Sequence, residues 1–169
     1  PHRGTTPVLG PGRWERTQQR AAERASDTSS LRRVLYGGAP IGRDSLTRCI
    51  DVLGDVLVQL YGRFDAAWPV TILDPADHRA MRDGKEEFWG SCGKIAPFIE
   101  VMIVDTELNP VAIGTPGEIV IRGEGMTPAA AVADGWCHTN DLVVEGPPTY
   151  LRIVGRTDDM INTGAHHVY

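Results

Sequence analysis

Side chains able to do chemistry concentrate in a few short stretches of the chain. Gly37-Gly38-Ala39-Pro40 ends an apolar run that reads as a strand. Ligands of open α/β sheets bind beyond the carboxyl ends of strands. Small residues there let a flat ligand approach the backbone, although they equally suit a tight strand-to-helix turn. Tyr61-Gly62-Arg63-Phe64-Asp65 ends a second apolar run. Its ring suits a base and Asp65 suits a hard cation, against the plainer reading of a core Tyr beside a surface Asp. Thr139-Asn140-Asp141-Leu142 holds one carboxylate between short strands, and a turn Asp commonly caps its own backbone. In Gly155-Arg156-Thr157-Asp158-Asp159 the guanidinium can fork onto a phosphate or ribose, but spacing alone favours a charged turn. His166 and His167 are adjacent, so on a strand they face opposite sides and do not share a metal. His2, His78 and His138 are scattered and receive no role. Cys49, Cys92 and Cys137 lie in no recognisable nucleophile motif.

The elements that must position these groups fall into two styles. Residues 31–36 read as a short buried strand. A helix capped by Asp44 or Ser45 follows, with Leu46, Ile50 and Leu53 at helical spacing and Gly54 as its stop. Residues 56–60 read as a second strand, which makes a βαβ unit with parallel strands and a right-handed crossover. Residues 70–73 read as another strand. Pro75 opens a short helix over 76–81, and 84–93 reads as loop. After Pro97 the character changes to short strands at 100–105, 118–122, 136–139, 142–145 and 150–154. Asn109-Pro110, 114–117 and Pro147-Pro148 supply the turns. Residues 1–12 read as loose and 13–25 as a solvated helix. The expected class is α/β: a parallel βαβ piece followed by an antiparallel β-subdomain. The expected divisions are 1–30 unplaced, 31–97 α/β, 98–154 β-rich and 155–169 a hinge region.

Composition limits the function classes. The chain has 169 residues, 41% hydrophobic and 23% charged, close to globular averages. Seventeen Lys and Arg against 22 Asp and Glu give a net charge of −5. Without a long basic run, nucleic acid is not expected as a partner. No apolar stretch is long enough for a membrane helix. Three Cys with no two near in sequence suggest neither a disulfide framework nor a zinc set, so a cytoplasmic setting is expected. The start at Pro1 suggests a fragment or processed product.

Order and spacing join the separate stretches. The segment from Leu31 to Tyr169 resembles the adenylate-forming superfamily: acyl-CoA synthetases, aryl-CoA ligases, luciferases and peptide-synthetase adenylation domains. SSLRRVLYGGAPI resembles the segment leading to the adenine pocket, and VQLYGRFDA resembles the YGxTE motif. GSCGKIAPFIEVMIVD and GTPGEIVIRG are similar to the GSxGxP and GEIxxRG segments. DGWCHTNDL is similar to DGWxxTGDL, and YLRIVGRTDDMINTGAHHVY to the hinge region. The flavour is that of acyl-CoA or aryl-CoA ligases.

The resemblance implies an ATP-dependent, AMP-forming acid–thiol ligase of the kind found in fatty acid metabolism. A carboxylic acid attacks the α-phosphate of ATP, and the acyl-adenylate passes to CoA. By the same resemblance Gly37, Gly38, Ala39 and Pro40 wall the adenine and acyl pocket, Tyr61 stacks on adenine, and Gly62 admits the backbone. Asp65 stands where the family has a Mg²⁺-linked Glu, Asp141 accepts the ribose hydroxyls, Arg156 contacts ribose or phosphate, and Asp158 is the hinge. The catalytic roles fall to Asp65 and Arg156. The chain departs from the family pattern at Phe64 for Thr, Asp65 for Glu and Asn140 for Gly, and between 123 and 134, where it lacks a GYW-type segment. The Lys-containing phosphate loop and the C-terminal domain with its Lys are not found, so an internal piece inactive on its own is expected. Two other readings stay open: a non-catalytic nucleotide-binding relic, motivated by Phe64 and Asn140, and a peptide-synthetase adenylation piece.

Overall fold

A computed structural model describes residues 8–9, 29–63, 67–123, 126, 135–146, 149–159, 161–162 and 167–168. Among them runs one mixed sheet of nine strands in the order β1-β2-β3-β4-β5-β9-β8-β7-β6. The strands are β1 (Val8–Leu9), β2 (Val34–Gly37), β3 (Leu57–Arg63), β4 (Ala67–Leu73), β5 (Ser91–Ile95), β6 (Ile99–Val104), β7 (Gly117–Gly123), β8 (Cys137–Gly146) and β9 (Tyr150–Arg156). β10 (Ile161–Asn162) and β11 (His167–Val168) pair separately. The α/β class holds. β2 and β3 are parallel and joined through helix α1 (Arg43–Leu53), and from β3 to β6 every pairing is antiparallel. The sheet runs without a break across the change of character at Pro97, because β5 pairs with β9.

The helices show where local signals were read well and where they were not. Helix α2 (Pro75–Arg82) has Pro at its start, and Asp74 and Asp77 exchange hydrogen bonds with each other's backbone in a capping box. Helix α1 begins earlier than Asp44 and Ser45 suggest. Gly42 is its N-cap, without a side-chain cap, and Asp44 instead sits in the first turn, where its charge suits the helix dipole. Gly54, at φ 67°, ends it as expected.

Two strand expectations needed correction. Residues 84–93 read as loop because of their glycines, yet β5 occupies 91–95. At Gly93, with φ 106°, a Cβ would strike the Ile72 backbone, so glycine here lets β4 and β5 approach. Residues 136–139 and 142–145 read as two strands but belong to the single strand β8, interrupted by a bulge. The expected helix over 13–25, the loose segment 1–12 and the Pro147-Pro148 turn lie outside the described residues.

The described residues form two buried clusters. One packs α1 and α2 on Tyr36, Leu57 and Leu73 and includes Cys49. The other fills the antiparallel part around Ile119, Ile121 and Val143, and includes Tyr61, Cys92 and Cys137. All three cysteines are buried, and none is in a disulfide.

Candidate functional site: a cleft closed by a bulged strand

A cleft of about 790 Å³ opens where the carboxyl ends of β2 and β3 meet the end of β9. Its lining includes Gly37, Gly38, Ala39, Pro40, Tyr61, Gly62, Asp141 and Arg156. The structure therefore brings together the expected site residues except two. Asp158 lies beside the cleft, within 3.4 Å of the Arg156 guanidinium, and Asp65 lies outside the described residues, as does Phe64.

Tyr61 and Asp141 meet although three strands separate them in the sheet. Laid flat, four strand spacings amount to about 19 Å. The Tyr61 hydroxyl nevertheless donates to Asp141 Oδ2 at 2.7 Å, so the sheet curls around its inner cluster. Arg156 Nη1 donates to the other oxygen, Oδ1, at 2.8 Å. Asp141 is buried, and its carboxylate spans a phenol and a guanidinium. The expectation that a turn Asp caps its own backbone is overturned. Thr139 does the local work instead, its hydroxyl accepting from the Asp141 amide at 3.0 Å and donating to the Ile119 carbonyl at 2.8 Å.

A bulge in β8 aims Asp141 inward. Glu118 pairs with Leu142 and Val120 with His138, so Ile119 alone faces Thr139, Asn140 and Asp141. Asn140 at the apex has φ 61°. That left-handed conformation is the one for which Asn is, after Gly, among the most tolerant residues. Asn in place of the family's Gly thus keeps the backbone the bulge requires. Arg63 Nη1 holds the Thr139 carbonyl at 2.9 Å, tying β3 to the bulge directly.

Glycines 37 and 62 serve the protein before any ligand. A Cβ on Gly37 would meet the Leu60 carbonyl oxygen, and one on Gly62 the Ala67 carbonyl oxygen and Val70 amide. Gly38, at φ 82°, has open space where a Cβ would stand and faces the cleft.

The opposite wall was not assigned from the residues. Trp89, Gly90, Ser91 and Cys92 line it, and Arg43 closes the rim with its guanidinium 4.5 Å from the Trp89 ring. The GSCG segment was visible as a motif, but its place in the cleft depends on β5 pairing with β9, which no local pattern reveals.

Burial keeps two groups of the cleft protonated. Burial, followed by the adjacent Asp141 charge, pushes the Tyr61 phenol far above its usual range, so it stays a donor. Burial raises the Cys92 thiol to about 11, which leaves it protonated and a poor nucleophile at neutral pH. Among the described residues no three His, Cys, Asp or Glu gather to cage a metal. Mg²⁺ needs no such cage when substrate phosphates and one carboxylate hold it.

The sheet-end cleft thus holds a buried carboxylate between a tyrosine and an arginine. The chain belongs to the AMP-binding enzyme family, whose profile matches residues 5–129. The resemblance to the adenylate-forming superfamily is thereby confirmed. Over 155 residues the chain is 36% identical to feruloyl-CoA synthase of an Amycolatopsis species, covering 86% of this chain and 30% of that one. The amide bond synthetase McbA from Marinactinospora thermotolerans has the same fold, with a TM-score of 0.85, 31% identity and coverage of 99% of this chain and 35% of its own. O-succinylbenzoate coenzyme A synthetase from Bacillus subtilis, solved with ATP and magnesium ion, matches at a TM-score of 0.81 and 21% identity, over 99% of this chain and 35% of that one. The chain spans about a third of the length of these proteins. Among the described residues no helix is long and apolar enough to cross a membrane.

Proposed function

We propose that this chain carries the adenine–ribose half of the site of an ATP-dependent, AMP-forming acid ligase. The observation that supports the reading most is that buried Tyr61 and Asp141 meet Arg156 in one cleft with the Gly38 turn. A carboxylate has acceptor capacity for two hydroxyls of a ribose, which would replace or share the Tyr61 and Arg156 bonds. Tyr61 presents a ring to the base. Arg156, half exposed at the rim, supplies positive charge where an α-phosphate would lie. Adenylation needs little from a protein nucleophile: an acid oxygen attacks the α-phosphate, pyrophosphate leaves with the bonding electrons, and the protein stabilises the charge. The protonated Cys92 and Tyr61 fit that demand. Bound with the triphosphate, Mg²⁺ would screen phosphate charge, and Asp65 is its proposed carboxylate. Asp158, paired with Arg156, is the proposed hinge, at the junction of a β-rich part over 98–154 with a hinge region over 155–169. The α/β part is 31–97, and a cytoplasmic setting goes with this reading.

CoA is the proposed acceptor of the acyl group, on the strength of the feruloyl-CoA synthase likeness. A second reading passes the same adenylate to an amine, and the likeness to an amide bond synthetase over 99% of this chain favours it. Both share the nucleotide half-site. Calorimetry with AMP and Mg·ATP, with Asp141→Ala as control, tests the shared step. Adenosine-dependent binding that the variant loses supports it. A folded chain that binds neither nucleotide refutes it.

A further inference from the structure

The apex amide of the β8 bulge has no ladder partner to use, because Ile119 alone faces three residues. Its acceptor is instead a side chain: the Asn140 N–H donates to Glu118 Oε1 at 3.0 Å. The other oxygen of Glu118, Oε2, lies 3.1 Å from His138 Nδ1, one residue before the bulge begins. Glu118 thus grips the bulge at its apex and at its entrance, with a mostly buried carboxylate. On the far side the Thr157 hydroxyl reaches the Asn140 carbonyl at 3.4 Å. Asn140 sits at a positive φ that the isolated backbone disfavours for any residue except Gly, so something must hold it there. The very next residue is Asp141.

We propose that Glu118 is a positioning residue for Asp141: its carboxylate stands in for a missing ladder carbonyl and sets the direction in which Asp141 leaves β8. Glu118 does not line the cleft, so it acts only through the bulge. For what Asp141 binds, the inference rests on the nucleotide reading above. Gln retains an acceptor oxygen at the same reach and supports Asn140, whereas Ala leaves the amide without its acceptor.

The test uses the whole 169-residue chain with Glu118→Ala and Glu118→Gln, each alone and combined with Asp141→Ala. AMP affinity is read by calorimetry or, for weak variants, NMR titration. Amide exchange at Asn140 and the carboxyl-carbon resonance of Asp141 are read without nucleotide, and circular dichroism checks folding. Glu118→Ala is expected to speed Asn140 exchange, shift the Asp141 resonance and weaken AMP roughly tenfold, the scale on which outer-shell partners of a binding group act. Glu118→Gln keeps the parent values, and Glu118→Ala adds nothing once Asp141 is Ala. Unchanged Asn140 exchange or an unmoved Asp141 resonance in folded Glu118→Ala overturns the proposal, as does a further loss of AMP affinity in the Asp141→Ala background. If the parent chain binds no AMP, the nucleotide reading falls, and the Asp141 resonance alone then decides the role of Glu118.

Discussion

The two walls of the cleft are built by opposite means. On the β2–β3 side the site residues are placed by shape: glycines where strands crowd, a turn beyond the strand ends and a parallel register set by α1. On the β8–β9 side they are placed by polar contacts, with Thr139, Asn140 and Asp141 each held by a side chain from another part of the sheet. A steric wall fails by unfolding, because overpacking is felt by the whole core. A wall held by hydrogen bonds can lose its aim while the sheet survives.

Four measurements sharpen or break that contrast. The largest effect is expected from Asp141→Ala, which removes the shared acceptor of Tyr61 and Arg156 and should weaken AMP by about 10–100-fold, the worth of hydrogen bonds to a charged group. Its circular dichroism should stay native. Loss of the fold instead would make the polar wall structural too. Next is Gly37→Ala, whose methyl meets the Leu60 carbonyl and should lower unfolding stability by about 1–3 kcal/mol in urea titrations. A neutral result there would show that the steric wall yields.

His78 gives the third measurement. It lies deep on the helical side, with Nε2 2.9 Å from the Tyr36 hydroxyl and Nδ1 2.6 Å from the Asp74 carbonyl. Burial holds its pKa below the ordinary 6.5, so the unfolded chain takes up the proton first. Stability from neutral His78 is complete above about pH 6.5 and falls as the pH drops below it, by at most about 1.4 kcal/mol per pH unit. Urea midpoints at pH 7.5, 6.5 and 5.5 check this, and His78→Asn should lose less over the same range. A parent midpoint flat down to pH 5.5 would contradict it. The smallest effect belongs to Asn140. Asn140→Gly should leave stability nearly unchanged, while Asn140→Ala costs about 1 kcal/mol for a left-handed residue that Ala tolerates poorly. Equal costs for the two would mean the positive φ is not what the bulge requires.

How far this site was legible follows the same divide. Tyr61, Asp141 and Arg156 were named from motif order, and the parallel βαβ unit from apolar runs and Gly54. The direction of Asp141 was missed, since a carboxylate at a turn is locally best explained by capping. Only the pairing of β8 with β7 and β9 shows that Thr139 does that work. Strand β5 was hidden by Gly90 and Gly93, which locally signal a loop, although Gly93 here permits close strand contact. With it went the Trp89–Cys92 wall. Local patterns report helix ends marked by Pro or Gly well, whereas bulges and glycine-bearing strands are defined by partners far along the chain.

The three buried thiols turn this molecule into its own probe of opening. Cys49 lies in the helical cluster, and Cys92 and Cys137 in the curled one. A thiol held near 11, like Cys92, reacts with a disulfide reagent only while its surroundings are apart. Labelling rates followed cysteine by cysteine would therefore time the two halves separately, and would tell whether they breathe as one cooperative unit or two.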